Sequence, residues 1–167
     1  MKKLILSIMI NTIFVTSIAY AGMHTIEKEK QAKEIECLAL NVYYETRGVS
    51  LADAMAVSDV VLNRVESSKY PNTVCDVVKQ GHTDSKGNMI RHKCQFSWYC
   101  DGKADVPSDA TSWDRSRKYA RDIYVHGFYR GITEGSTHYH ATYVKPFWAP
   151  TMDRITRIGS HIFYRKK

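Results

Sequence analysis

Between residues 37 and 64 one helical pattern stops and another begins, so any fold of this chain has to turn sharply there. On the near side Ile35, Leu38, Ala39 and Val42 recur at helical spacing and form an apolar stripe. Gly48 is placed to end that helix, as a glycine past the last turn commonly does. Ser50, Leu51, Ala52 and Asp53 read as a capping box that starts the next one, whose stripe is Ala54, Val57, Val61, Leu62 and Val65. Glu45 follows Val42 by three residues and Leu38 by seven, which puts its carboxylate on the flank of the first stripe. A carboxylate beside an apolar face, at a helix end and next to a turn, sits where a cleft forms. Partial burial there raises its pKa, as a general acid at neutral pH requires. The plainer reading is a solvated helix-end glutamate paired with Arg47.

The rest of the chain reads as helices followed by a little sheet. The second helix is expected over residues 51–70, stopped by Pro71 because the residue before proline avoids helical geometry. Residues 73–80 suit a short third helix with Val74, Val77 and Val78 inward and Gly81 as its stop. Residues 82–93 are polar and carry Asp84, Gly87 and Asn88, a surface loop or hairpin turn. Ser108 is expected to cap a fourth helix running to about His126, with Gly127 beyond it and Trp113 in its core face. Residues 136–143 and 157–163 are β-compatible and are expected to pair as a small antiparallel sheet. No internal repeat or low-complexity tract is present, and the expected class is α+β, in one compact domain.

Seven blocks in order carry a resemblance. They are Val42-Tyr43-Tyr44-Glu45-Thr46-Arg47-Gly48, then Ala56-Val57-Ser58-Asp59-Val60-Val61-Leu62-Asn63-Arg64-Val65, Tyr70-Pro71-Asn72-Thr73-Val74, Cys94-Gln95-Phe96-Ser97-Trp98, Thr137-His138-Tyr139-His140, Pro146-Phe147-Trp148-Ala149 and Ile158-Gly159-Ser160-His161-Ile162-Phe163-Tyr164. Together they resemble the SleB-type cell wall hydrolases, the family of spore-cortex-lytic enzymes, from about residue 36 to the C-terminus. Thr46 stands where that pattern usually has Ala, and Val49 where it often has Glu; neither touches Glu45, the position of the family's catalytic glutamate. The resemblance implies a mainly helical, lysozyme-like domain in which a small antiparallel sheet flanks a substrate groove.

The N-terminus has the layout of a secretory signal. Lys2 and Lys3 precede an apolar run interrupted by Ser7, Asn11, Thr12, Thr16 and Ser17, and Ala19-Tyr20-Ala21 is a small-x-small cleavage site. The expected organisation is a signal peptide over 1–21, a charged lead-in over 22–35 and a catalytic domain over 36–167. The alternative, an uncleaved signal anchor, asks a short and hydroxyl-rich run to act as a permanent span. Cleavage leaves no stable membrane span and an exported monomer, in the periplasm or outside the cell. The formal net charge of +7 suits an anionic polymer. For an exported chain that polymer is peptidoglycan and not nucleic acid, although simple solubility would explain the charge as well.

Cys37, Cys75, Cys94 and Cys100 make an even count in an exported chain, which reads as two disulfides. Three pairings are possible. Cys94–Cys100 would close the short loop carrying Gln95, Phe96 and Trp98, and Cys37–Cys75 would tie two helices. A four-cysteine zinc site is the rival, without the Cys-x-x-Cys pair such sites usually show.

The resemblance further implies cleavage of the β-1,4 bond between N-acetylmuramic acid and N-acetylglucosamine, without a cofactor. Glycoside hydrolysis uses two carboxylates. A lytic transglycosylase needs one, which protonates the leaving oxygen and then takes the proton of the muramic acid 6-hydroxyl as a 1,6-anhydro ring closes. Asp53 and Asp59 read as cap and surface residues, Asp101 sits in a turn and Asp153 is isolated, so transglycosylation by Glu45 is favoured. Eleven tyrosines and three tryptophans are many for a chain of 167 residues, and sugar faces stack on such rings. Gln95, Trp98, His138, Tyr139, His140 and Trp148 are the expected substrate-binding residues. Two other readings stay open. His138 and His140 share one strand face, and with His161 and Glu134 they would suit a zinc-dependent N-acetylmuramoyl-L-alanine amidase. A wall-binding module without activity is the third.

Overall fold

The computed structural model describes residues 2–46 and 50–167, the side chains from residue 22 onward. The expected stop at Gly48, and Arg47 beside it, lie outside the described residues. The chain divides into two compact units, Met1–Lys33 and Glu34–Lys167. Helix α1 (Lys2–Thr46) runs unbroken through the expected leader and lead-in. Residues 22–33 are exposed, Met23 and Ile26 included. Among the described residues no helix is long and apolar enough to cross a membrane.

The second unit is built around α2 (Leu51–Glu66). Its start is a reciprocal cap. The Ser50 hydroxyl accepts from the Asp53 N–H at 3.2 Å and donates to the Asp53 carboxylate at 2.7 Å. Every residue from Asp53 to Val61 is buried, so α2 is enclosed on all sides and not on one stripe. The last turns of α1 supply Leu38, Ala39, Val42 and Tyr43 to the same core. Each fully buried aliphatic side chain contributes about 1.5–3 kcal/mol. The Tyr43 hydroxyl accepts the N–H groups of Ser108 and Asp109, both at 3.1 Å, and so holds the entrance to α4 (Ala110–His126). Asp109, not Ser108, is the cap, accepting from the Ser112 N–H at 2.7 Å; Gly127, at φ +67°, closes the helix as expected.

Three boundaries differ from the sequence pattern. Helix α2 stops at Glu66, where Ser67 turns extended and bonds back to the Arg64 carbonyl; the chain turns several residues before Pro71. Helix α3 covers only Val74–Val78, its first N–H groups bonded to the Glu34 carboxylate and the Thr73 hydroxyl. Gly81 does not stop it but opens the hairpin of β1 (Gly81–Thr83) and β2 (Met89–Cys94), where a Cβ would meet the Cys94 sulfur at 2.8 Å. The β-compatible segment near the C-terminus is two strands, not one. β4 (Asp153–Ile158) turns through Gly159 and Ser160 into β5 (His161–Arg165). With β3 (His138–Ala141) they form an antiparallel sheet in the order β3-β5-β4. Gly159 has φ +53°, and a Cβ there would overlap the Asp53 carboxylate.

Both disulfides take the favoured pairing, Cys37–Cys75 and Cys94–Cys100. Closing 38 residues of chain makes the first worth about 4 kcal/mol by loop entropy.

Asp59 is not the surface residue its helix position suggested. It is fully buried, ion-paired to Arg130, and accepts the N–H groups of Gly131 and Thr133 at 3.0 Å each and the Thr133 hydroxyl at 2.6 Å. One carboxylate thereby pins the loop between α4 and β3. Asp59→Ala strands these donors, and urea unfolding of the variant is expected to show a loss of about 3 kcal/mol or more. A loss under about 1 kcal/mol would mean the loop is held by other contacts.

Candidate active site

Glu45 lies in the last turn of α1, where the helix's negative end disfavours a second negative charge. Its carboxylate accepts the Tyr139 hydroxyl at 2.9 Å. Burial pushes the Glu45 pKa up, and the Tyr139 hydrogen bond and the positive charges of His161 and Arg64 only partly offset this. Burial and the nearby carboxylate push the Tyr139 phenol well above its ordinary range, so it remains a donor.

Around the carboxylate is a cavity of about 450 Å³ with Gln95, Arg64, His140 and His161 in its walls. Arg64 lies under the surface between the rings of Tyr70 and Phe96, 5.4 and 5.2 Å from their centres, and its Nε donates to the Thr137 carbonyl at 2.8 Å. Its buried Nη1 has no hydrogen-bond partner among the described residues. His161 is fixed by Asp53, Nδ1 to Oδ1 at 2.8 Å. Burial pushes the Asp53 pKa up, but hydrogen bonds from Ser50, His161 and Ser160 outweigh it and bring the group to about 2.

The sheet separates the expected site residues. Tyr139 and His161 project from one face, their rings edge to face at 5.4 Å. His138 and His140 belong to the other face and both pack on Trp148, at 5.7 and 5.6 Å. His140 also stacks on Tyr164 and shares a 2.9 Å hydrogen bond with its hydroxyl, while its edge borders the cavity. His138 has its pKa brought down to about 4 by burial and by Arg64 and Lys166. Glu45, Gln95, Tyr139 and His140 are therefore together, whereas His138 and Trp148 are behind the sheet. Trp98 is buried, stacked on Tyr44 at 4.7 Å with its indole N–H on the Asn41 side chain, and it borders a separate cleft of about 280 Å³. The three histidines of the zinc reading do not converge, because His161 faces away from the other two. Among the described residues no three His, Cys, Asp or Glu side chains are grouped to hold a metal.

Arg64 was given no role by the sequence reading, Asp53 was read only as a cap residue and His161 only as a ligand in the zinc reading; the structure groups Arg64 and His161 in the cavity wall with Glu45, and sets Asp53 behind His161. A signal existed for two of them. Asp53, Val57, Val61 and Arg64 fall on one face of α2, so a charge stands at each end of a buried stripe.

Comparison with known proteins adds to this geometry. The cell wall hydrolase family model matches residues 48–164, starting just past Glu45. The chain belongs to that family. A spore cortex-lytic enzyme of Bacillus cereus is 28% identical over 131 residues, 78% of this chain and 43% of the relative, so the chain spans less than half of that protein's length. The catalytic domain of the germination-specific lytic transglycosylase SleB from Bacillus anthracis is 28% identical, with a TM-score of 0.60 over 79% of this chain and 93% of that one. The catalytic domain of the Bacillus cereus SleB protein gives 28% and 0.57, covering 79% and 89%. The architecture of this hydrolase domain is thus α+β and lysozyme-like, a helical body with small antiparallel sheets.

The Tyr139 contact has a measurable consequence. Its hydrogen bond favours the charged form of Glu45, so removing it must move the titration upward. In Tyr139→Phe the Glu45 carboxyl is expected to titrate at higher pH than in the unaltered protein, read by carbon NMR of labelled glutamate. An unchanged or lower midpoint would place the tyrosine hydroxyl elsewhere in solution.

Proposed function

We propose that this domain cuts the glycan strand of peptidoglycan at the β-1,4 bond between N-acetylmuramic acid and N-acetylglucosamine, as a lytic transglycosylase with Glu45 as its acid. The observation that carries this reading is the Glu45 carboxyl, half-buried in a cavity wall, hydrogen-bonded by Tyr139, and shifted toward holding its proton. A general acid needs that shift. Among the described residues lining the cavity Glu45 is the one carboxylate, which suits ring closure by the 6-hydroxyl better than the two-carboxylate hydrolysis of glycosidases. The relatives point the same way: one is named a lytic transglycosylase and another a cortex-lytic enzyme.

The remaining assignments follow from this reading. Gln95 and Arg64 offer hydrogen bonds to acetamido or lactyl oxygens of the sugar, and Tyr139 and His140 close the wall behind it. Tyr143, 87% exposed at the cavity rim, is the ring best placed to stack on a sugar face. Residues 1–21 act as an export signal, taking the chain to a compartment where both disulfides form and where the wall is the anionic partner of its basic surface.

Purified peptidoglycan incubated with the protein is expected to release anhydro-muropeptides, identified by mass spectrometry. Reducing muramic acid ends would mean hydrolysis instead, and no release would mean a binding module. Glu45→Gln is expected to lower product release by about 100-fold or more while wall binding and thermal stability stay as they were. Turnover should also fall as pH rises through the Glu45 pKa, because the acid must carry its proton. Turnover retained in Glu45→Gln would remove this residue from the chemistry.

A further inference from the structure

The end of α2 and the segment entering β3 are tied side by side: Asn63 donates to the Ser136 carbonyl at 2.9 Å and Arg64 to that of Thr137 at 2.8 Å. Along this seam the surface opens twice. One opening is the Glu45 cavity, and the other is a pocket of about 330 Å³ that has Ser67, Tyr70 and Thr137 in its walls. Thr137 precedes Tyr139 of the cavity by two residues, about 7 Å of extended chain. Arg64 is the partition, with Phe96 of the cavity at 5.2 Å and Tyr70 of the pocket at 5.4 Å. The charge of this second pocket is one-sided. Lys69, Arg165 and Lys166 stand exposed at its rim, and among the described residues none of them is ion-paired. Glu66, the one carboxylate among the described lining residues, is already held by Arg130 at 2.7 Å.

We propose that Lys69, Arg165 and Lys166 bind the carboxylates of the peptide stem on the muramic acid that is cut, a role that rests on the glycan-cutting reading above. The sugar backbone is uncharged and offers three cations nothing to pair with. The stem leaves the lactyl group of muramic acid and carries ionised carboxylates along its length and at its end. With the scissile bond at Glu45 the lactyl group lies toward Arg64, and the stem crosses that one residue to enter the pocket. Four extended residues span about 13–14 Å, enough to pass an arginine and reach the far rim. Ammonium and guanidinium groups both form charge-assisted hydrogen bonds to carboxylates there.

The fold makes little use of these three side chains. Lys69 lies in the turn after α2, where its backbone N–H meets the Ser67 hydroxyl at 3.3 Å. Arg165 ends β5 and reaches only the Glu134 carbonyl, at 3.5 Å, and Lys166 follows it. The positive field of the pocket nonetheless extends past its rim. Burial, Arg64 and Lys166 together bring the pKa of His138 down to about 4, which puts both cations within reach of one imidazole. A pocket that recognises the stem also sets an order of action. Glycan cutting by this domain precedes the amide hydrolysis that strips stems from the strand, because a stripped strand has lost the charges the pocket holds.

The test compares the full chain with a triple variant, Lys69→Ser, Arg165→Ser and Lys166→Ser, whose melting temperature should stay that of the unaltered protein. The soluble probes are the N-acetylglucosamine–N-acetylmuramic acid disaccharide, the same disaccharide with a tetrapeptide stem, and that muropeptide with its carboxylates amidated. By calorimetry the stem is expected to tighten binding about tenfold, amidation to remove the gain, and the triple variant to bind all three alike. Anhydro-product release should have a kcat/KM about tenfold higher on stem-bearing glycan than on glycan stripped by an amidase, a preference that shrinks with added salt and is absent from the variant. A stem that adds less than about twofold, or a gain that persists in the folded variant, would overturn the proposal. So would an equal loss on stem-bearing and stripped glycan, which would assign the cations to the sugar chain, or a loss confined to walls bearing phosphate polymers, which would give the pocket to those. Were the unaltered protein to cut no glycan, the glycosidase reading would fail, and muropeptide binding would still decide the pocket.

Discussion

Two carboxylates on one buried helix organise this domain. Helix α2 is enclosed from Asp53 to Val61, and a polar side chain inside such an enclosure must find partners or lose stability. Asp53 finds them in the β4–β5 turn and Asp59 in the loop that leads to β3. The same helix thus fixes both ends of the sheet. Because β3 and β5 present Tyr139 and His161 toward the cavity, the polar ties of α2 also set where the site's hydroxyl and imidazole stand relative to Glu45. Stability and site geometry share these residues, which is why substitutions at Asp53 need a readout beyond activity.

The cavity keeps opposite charges close without letting them neutralise each other through direct contact. Among the described residues Glu45 is hydrogen-bonded by a phenol and not by a cation, and Arg64 meets a backbone carbonyl and two ring faces and not a carboxylate. A direct Arg64–Glu45 ion pair would depress the acid's pKa strongly and remove its proton. Separation by Tyr139 leaves burial as the larger influence and keeps the pKa raised. Among the described residues Nη1 of Arg64 is left without a hydrogen-bond partner, a costly feature for a buried donor.

Much of this was legible from residue order. The apolar spacing before Glu45 and the capping box at Ser50 located the last turns of α1, with Glu45 among them, and the start of α2. The Asn-Arg segment after Val61 and the His-Tyr-His strand were recognised as blocks, but their partition was not. Alternation along β3 sends Tyr139 one way and its flanking histidines the other, and only the pairing with β5 tells which way is inward. The β4–β5 turn was missed because Gly159 and Ser160 interrupt a continuous β-compatible run. The reason for glycine there is Asp53, more than one hundred residues earlier. Asp59 was misplaced for the same kind of reason: its partners, Arg130 to Thr133, are remote in sequence and lack any pattern that would mark them.

The aromatic residues show how composition can suggest a binding surface and overstate it. Trp98, Tyr44 and Tyr43 form a packed series inside the body, and Trp148, His138, His140 and Tyr164 form another behind the sheet. These rings spend their faces on each other, each contact adding about 0.5–1.5 kcal/mol beyond the area buried. A sugar needs a ring with one face still in water. Tyr143 at the cavity rim and Phe147, 93% exposed farther along the same loop, retain theirs, and neither is required by the core. A glycan strand long enough to pass Glu45 would therefore meet hydrogen-bonding groups within the cavity and aromatic faces along the β3–β4 loop. The exposed rings thus stand on a loop, while Glu45, Arg64, Tyr139 and His161 stand on the helices and strands beneath it.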